Sequence, residues 1–156
     1  MNKIFLLLFF ATFAMGCKSK SATNTQLNNK AEVALKGDWT ISSVTYAGSD
    51  YIKVTSFDLA DSKCFVGSKW RFISNNNKGN MALNSPNCTS FTSPITWFIN
   101  KESQLILKIL NDTKSKKVLT GYVLKVANIT DTSFQLIDGI SVGGKSIEVV
   151  YQFSKN

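Results

Sequence analysis

From Gly37 to the C-terminus, apolar and polar residues alternate with a period of two, and short runs of turn-forming residues interrupt the alternation. Eight strands are predicted, over 38–46, 68–74, 80–84, 94–100, 104–110, 117–129, 133–138 and 145–153. In the first, Trp39, Ile41 and Ser43 share one face and Val44 and Tyr46 the other. Trp70 and Phe72 face away from Lys69 and Arg71 in the second. Residues 75–80 read as a turn in which Gly79 or one of the asparagines takes positive φ. Ile95, Trp97 and Ile99 share a face, as do Leu105, Leu107 and Ile109. Tyr122, Leu124 and Val126 oppose Val123 and Lys125, and Ile147, Val149, Tyr151 and Phe153 oppose Glu148 and Gln152.

No stretch of this region keeps a 3.6-residue period, so helix is minor, apart from a turn or so over 30–36 packed against the domain. The connections are short except for 47–67. The pattern therefore predicts an all-β fold, an eight-stranded antiparallel up-and-down barrel. A sandwich is the alternative, but it calls for longer crossovers than these turns supply.

The first residues follow a different rule. Met1-Asn2-Lys3 is basic, Ile4 to Phe13 is an apolar run broken only by Thr12, and Ala14 and Gly16 are small. This is the order of a secretory signal, and the run is too short to span a bilayer as a helix. The next residue is Cys17, and Ala14-Met15-Gly16-Cys17 resembles the lipobox of bacterial lipoproteins, whose cysteine is acylated after the leader is cut. The alternative is an ordinary leader cut near Gly16 with a chance cysteine. We expect a leader over 1–16, a flexible lipidated tether over 17–32 that is too polar to order itself, and a barrel domain over 33–156. Cys17 is not followed by Asp. That favours the outer over the inner membrane, and the expectation is a lipid-anchored protein of a Gram-negative envelope, on the outer membrane and facing the periplasm.

Composition narrows the chemistry. The chain has no histidine, which excludes Ser-His-Asp, Cys-His and His-ligated metal chemistry. With Cys17 given to lipid, Cys64 and Cys88 remain, and in an oxidising envelope such a pair usually bridges. Two free redox thiols are the alternative, without a Cys-x-x-Cys spacing to support them. The ten acidic residues are scattered, with no acid–base dyad placed by strand parity, no glycine-rich phosphate loop and no metal cluster. The expectation is a non-enzyme without a cofactor. The net charge of +8 would invite nucleic acid, but an exported protein does not meet it.

A family resemblance then appears. Leu35-Lys36-Gly37-Asp38-Trp39-Thr40-Ile41 resembles the Gly-x-Trp start of lipocalins. The resemblance runs over roughly 33–154 and is to the lipocalin-like domain of envelope lipoproteins. Its further marks are Cys64 before Trp70-Arg71-Phe72, Gly79 and Cys88, a later Trp97 strand, leucine-rich strands and a final Tyr151-Gln152-Phe153. It implies a calycin-type barrel with a lumen able to hold a small apolar molecule. Lipocalins often carry an Arg near the last strand that covers the first-strand Trp, and here Lys155 is the nearest basic residue.

The expected function is binding of a small hydrophobic ligand or lipid within the barrel. The candidate contacts are Trp70, Phe72, Trp97, Ile99, Leu107, Tyr122, Leu124 and Tyr151; the plainer reading is that these bulky residues simply fill the core. Partners are the membrane, through the lipid anchor, and the ligand. The alternative is a non-catalytic interaction or structural module that docks on another envelope protein.

Overall fold

The computed structural model describes residues 30–48, 53–110 and 121–156. The expected leader, nearly all of the tether with Cys17, and the turn at 111–116 lie outside the described residues. The strands are β1 (Gly37–Tyr46), β2 (Thr55–Ser56), β3 (Ala60–Asp61), β4 (Lys69–Ile73), β5 (Lys78–Leu83), β6 (Phe91–Ile99), β7 (Gln104–Ile109), β8 (Tyr122–Ala127), β9 (Ser133–Val142) and β10 (Lys145–Lys155). Eight of them close into a barrel in the order β1-β10-β9-β8-β7-β6-β5-β4. Each barrel strand pairs antiparallel with both neighbours. These are the eight strands the alternation predicts, and closure leaves no open sheet edge to protect.

The inner face is almost wholly apolar. Trp39, Ile41, Trp70, Phe72, Met81, Leu83, Ile95, Trp97, Leu105, Leu107, Leu124, Phe134, Leu136, Val149, Tyr151 and Phe153 are all buried. Each such side chain contributes on the order of 2 kcal/mol by leaving water.

Strand parity fails at one place. A bulge between Ile41 and Ser43 shifts the β1–β10 register. Beyond it the inward positions are Val44 and Tyr46, which pack on the core, while Ser43 is exposed. Val44 and Tyr46 thus share a face with Trp39 and Ile41, contrary to the unbroken alternation, because the extra residue inverts every later side chain. The β9–β10 hairpin is also longer than predicted and runs to Val142, where Gly143 and Gly144 make the turn with φ of 57° and 79°.

Both ends of the barrel are covered. A helical turn over 30–35 closes the end where β1 begins. Leu35 is fully buried there, and its carbonyl accepts the Trp39 indole N–H at 2.8 Å. Glu32 reaches across to accept the Ile99 amide at 3.3 Å. The opposite end, the mouth, is covered by 53–68, part of the connection expected at 47–67. It folds as the β2–β3 hairpin followed by a 3-10 turn over Ser62–Phe65, and a Cys64–Cys88 disulfide ties it to the β5–β6 connection, with Cα atoms 5.8 Å apart.

Candidate functional site: the barrel lumen and its mouth

The inward side chains form two aromatic groups. Toward the closed end, Phe134 stacks on Phe153 with centroids 4.5 Å apart, Trp39 meets Phe134 at 4.7 Å, and Phe72 meets Trp97 at 5.3 Å. Lys155 holds its ammonium 5.8 Å from the Trp39 ring centroid, so a lysine covers the first-strand tryptophan where the resemblance leads one to look for an arginine. At the mouth the centre is Phe57. Its ring lies 5.2 Å from Phe65, 5.2 Å from Tyr122, 5.3 Å from Tyr151 and 6.2 Å from Trp70. Trp70 stacks on Phe72 at 6.1 Å and joins the two groups.

Of the residues singled out from the sequence, Trp70, Phe72, Trp97, Ile99, Leu107, Leu124 and Tyr151 are buried, and Tyr122 is half-buried at the rim. The structure brings Trp70, Tyr122 and Tyr151 around one ring. Trp97 and Phe72 lie deeper. Phe57 and Phe65 were not read from the sequence, since they sit where no strand parity defines a face. The available signal was Val54, Phe57 and Phe65 in a connection too long for a simple turn.

The polar groups at the mouth are accounted for. Tyr122 donates its hydroxyl to the Phe57 carbonyl at 2.6 Å. Tyr151 donates to Ser56 Oγ, and Ser62 Oγ, 2.6 Å from Ser56 Oγ, donates to the Val54 carbonyl at 2.7 Å. Each hydroxyl has one hydrogen, so Ser56 is the donor to Ser62 and the chain of donors runs one way. The Trp70 indole donates to Ser68 Oγ at 2.8 Å. Burial, with the Asp58 carboxylate nearby, pushes the Tyr122 phenol up to about 12. Burial also raises Tyr151, partly opposed by its bond to Ser56.

Phe57 and its neighbour Asp58 have φ of 52° and 49°, the left-handed region, and they form the β2–β3 turn closed by the Leu59 amide on the Ser56 carbonyl at 3.0 Å. A bulky side chain rarely takes that conformation, and it persists only where its surroundings hold it. Here the aromatic cage and the Tyr122 bond do so.

Grooves lie outside the lumen at both ends of the barrel. One of about 580 Å³ flanks the 30–35 turn and is lined by Lys30, Val33, Ala34, Lys36, Thr130, Asp131 and Lys155. Another of about 360 Å³ lies beside the disulfide, between Leu59, Leu83 and Phe91. Among the described residues no cluster of three or more acidic or cysteine side chains is placed to hold a metal, and no helix is long and apolar enough to cross a membrane.

A family model described as a lipocalin-like domain matches residues 35–136. Among solved structures the chain is similar to a lipocalin-like protein from Bacteroides uniformis, at 15% identity over 79% of this chain and 99% of that one, with a TM-score of 0.49. It is also similar to lobster apocrustacyanin A1, at 10% identity over 87% and 70% of the two chains, with a TM-score of 0.49. Bovine odorant-binding protein, solved with its natural ligand, shares 12% identity over 79% and 72%, with a TM-score of 0.44. No curated protein matches the sequence significantly.

Proposed function

The chain belongs to the lipocalin-like domain family, and from that premise we propose that it is a lipid-anchored envelope protein whose barrel takes up one small apolar molecule at its mouth. One observation carries the reading. Phe57 is held at the rim by Trp70, Phe65, Tyr122 and Tyr151, yet it comes from a strained turn and not from a barrel strand. Swinging the 54–62 hairpin outward would vacate a ring-sized apolar space without breaking a barrel pairing, while Cys64 stays bridged to Cys88 and Gly67 and Ser68 stay bonded to Ile41.

The same movement would take from Tyr122 and Tyr151 their acceptors, the Phe57 carbonyl and Ser56 Oγ. A ligand with a flat apolar body and one carbonyl-like acceptor would replace both the ring and an acceptor. Without that acceptor, the stranded hydroxyls would each cost about 1–3 kcal/mol. The cage residues Trp70, Tyr122 and Tyr151 are the proposed contacts, with Phe72, Leu107, Leu124, Trp97 and Ile99 as the floor below them.

The anchor is supported by the order of the basic start, apolar run, small residues and Cys17. The absence of Asp after Cys17 favours the outer membrane over the inner, and the proposal places the barrel on its periplasmic side. Cys17→Ser should move the protein to the soluble fraction, and unchanged pelleting would overturn the anchor. For the barrel, native mass spectrometry of the Cys17→Ser protein, exported by its own leader and purified from the envelope, should find a bound small molecule. Phe57→Ala should bind N-phenyl-1-naphthylamine and quench tryptophan emission. An empty protein whose Phe57→Ala form also ignores the probe would mean that the lumen is only core.

A further inference from the structure

We infer that the closed end of the barrel, around the 30–35 turn, is a docking face for an anionic lipid surface. Three lysines, Lys30, Lys36 and Lys155, line the groove there against one carboxylate, Asp131. Two other acidic groups at this end are already engaged. Glu32 is turned to the barrel, where it accepts the Ile99 amide at 3.3 Å, and Asp38 pairs with Arg71 at 3.6 Å. Lys101 and Glu102, adjacent on the β6–β7 turn, offset each other.

Apolar groups stand among these charges. Val33 is 68% exposed and Ile129 is 41% exposed. A second groove, lined by Lys30, Ala31, Ala34, Ser103, Val126 and Ile129, lies on the other side of the same turn. Exposed aliphatic side chains ringed by ammonium groups suit the headgroup layer of a bilayer, where the chains enter the interface and the lysines meet phosphates.

The position of the chain argues for the same occupant. Twelve residues, 18–29, separate Cys17 from Lys30. Fully extended they reach no more than about 45 Å. An acyl anchor at Cys17 therefore joins the barrel to the membrane through this end and holds the face within that distance of the bilayer. This geometry rests on the anchored reading above, while the composition of the face does not.

Residues 30–156 contain the whole barrel and both its covers, so the chain starting at residue 18 suffices for the test and carries no acyl group. It should cosediment with vesicles of phosphatidylcholine containing about a third phosphatidylglycerol, more weakly as salt rises. Phosphatidylcholine vesicles alone should leave it in solution. Lys30→Gln with Lys36→Gln should weaken binding about 25-fold, at about five-fold per lysine, and Val33→Asp should weaken it with all lysines present. The same charge change at the mouth, Lys53→Gln with Lys145→Gln, should leave binding within two-fold. Equal loss from the mouth pair, equal binding to neutral vesicles, or no binding to anionic ones would overturn the docking face. The Cys17→Ser fractionation reads the anchor separately, so failure of one is not failure of the other.

Discussion

Tyr151, on the last barrel strand, donates its phenol to Ser56 Oγ in the segment that covers the mouth, across 95 residues of sequence, and both side chains are fully buried. The two ends of that bond are not equivalent. Tyr151→Phe removes a donor and leaves Ser56 still donating to Ser62, at a cost of about 1 kcal/mol. Ser56→Ala strands a buried phenol and also takes the incoming bond from Ser62, so about 2 kcal/mol is expected. Urea unfolding of the two variants and the double variant checks the order. The double variant should cost less than the sum of the single ones, since both act on one chain of donors. An equal or smaller cost for Ser56→Ala would show that the chain of hydroxyls does not hold the cover.

The two mouth tyrosines also give the fold an alkaline limit. Tyr122 is raised to about 12, first by burial and then by Asp58, and Tyr151 is raised by burial. A phenol that holds its proton more tightly when folded contributes fully below pH 10, where both states are protonated. Above pH 10 the unfolded chain releases protons that the folded chain keeps, so stability falls from pH 10 up to about 12. Thermal melts at pH 9 and pH 11.5 should show a larger drop for the natural protein than for the Tyr122→Phe, Tyr151→Phe double variant. Lysine deprotonation is common to both proteins and cancels in the comparison.

What the sequence made legible follows from parity. Wherever one face of a strand is buried, alternation names the inward residues, which is how Trp70, Trp97, Leu107, Leu124 and Tyr151 were found. It loses track at Ser42–Ser43, because a bulge adds one residue without leaving a compositional mark. It sets the β4–β5 turn two residues too long, although one of the asparagines does take positive φ as expected. There Asn77 takes the positive φ of 54°, while Gly79 lies inside β5 and is needed for closeness. The strand predicted to end at 138 continues because Gly139 and Ser141 look like turn residues yet are paired with Glu148 and Ser146. Phe57, Ser56 and Ser62 were out of reach, since a side chain in irregular backbone has no face until the tertiary fold gives it one.

The disulfide links the mouth cover to the barrel wall. Cys64 lies within the 3-10 turn and Cys88 between β5 and β6, 24 residues later. Closing a loop of that length removes denatured-state entropy worth about 3 kcal/mol. Cys64→Ser with Cys88→Ser should therefore lower the melting temperature by roughly 10 °C. The barrel should remain, because no barrel pairing runs through either cysteine. Hydrogen exchange should rise mainly over 53–68. If exchange rises evenly over all strands instead, the bridge serves the whole barrel and not its cover.

Two glycines with the same composition signal should respond in opposite ways. At Gly79 a Cβ would lie 1.9 Å from the Arg71 carbonyl oxygen and 3.1 Å from Ile95 Cγ1. The obstruction is the backbone of the paired strand β4, which can yield only by opening the β4–β5 ladder next to the stacked Trp70 and Phe72. Gly79→Ala should cost at least about 3 kcal/mol, the upper part of the range for overpacking a tight site. At Gly139, in β9, a Cβ would meet only Ser146 Oγ, at 4.0 Å, and the backbone is not left-handed. Gly139→Ala should change stability by less than about 0.5 kcal/mol in either direction. Circular dichroism melts of the two variants decide the matter. A tolerated Gly79→Ala would mean that β4 and β5 are not paired as closely as their register requires, and the wall beside Phe72 would have to be redrawn.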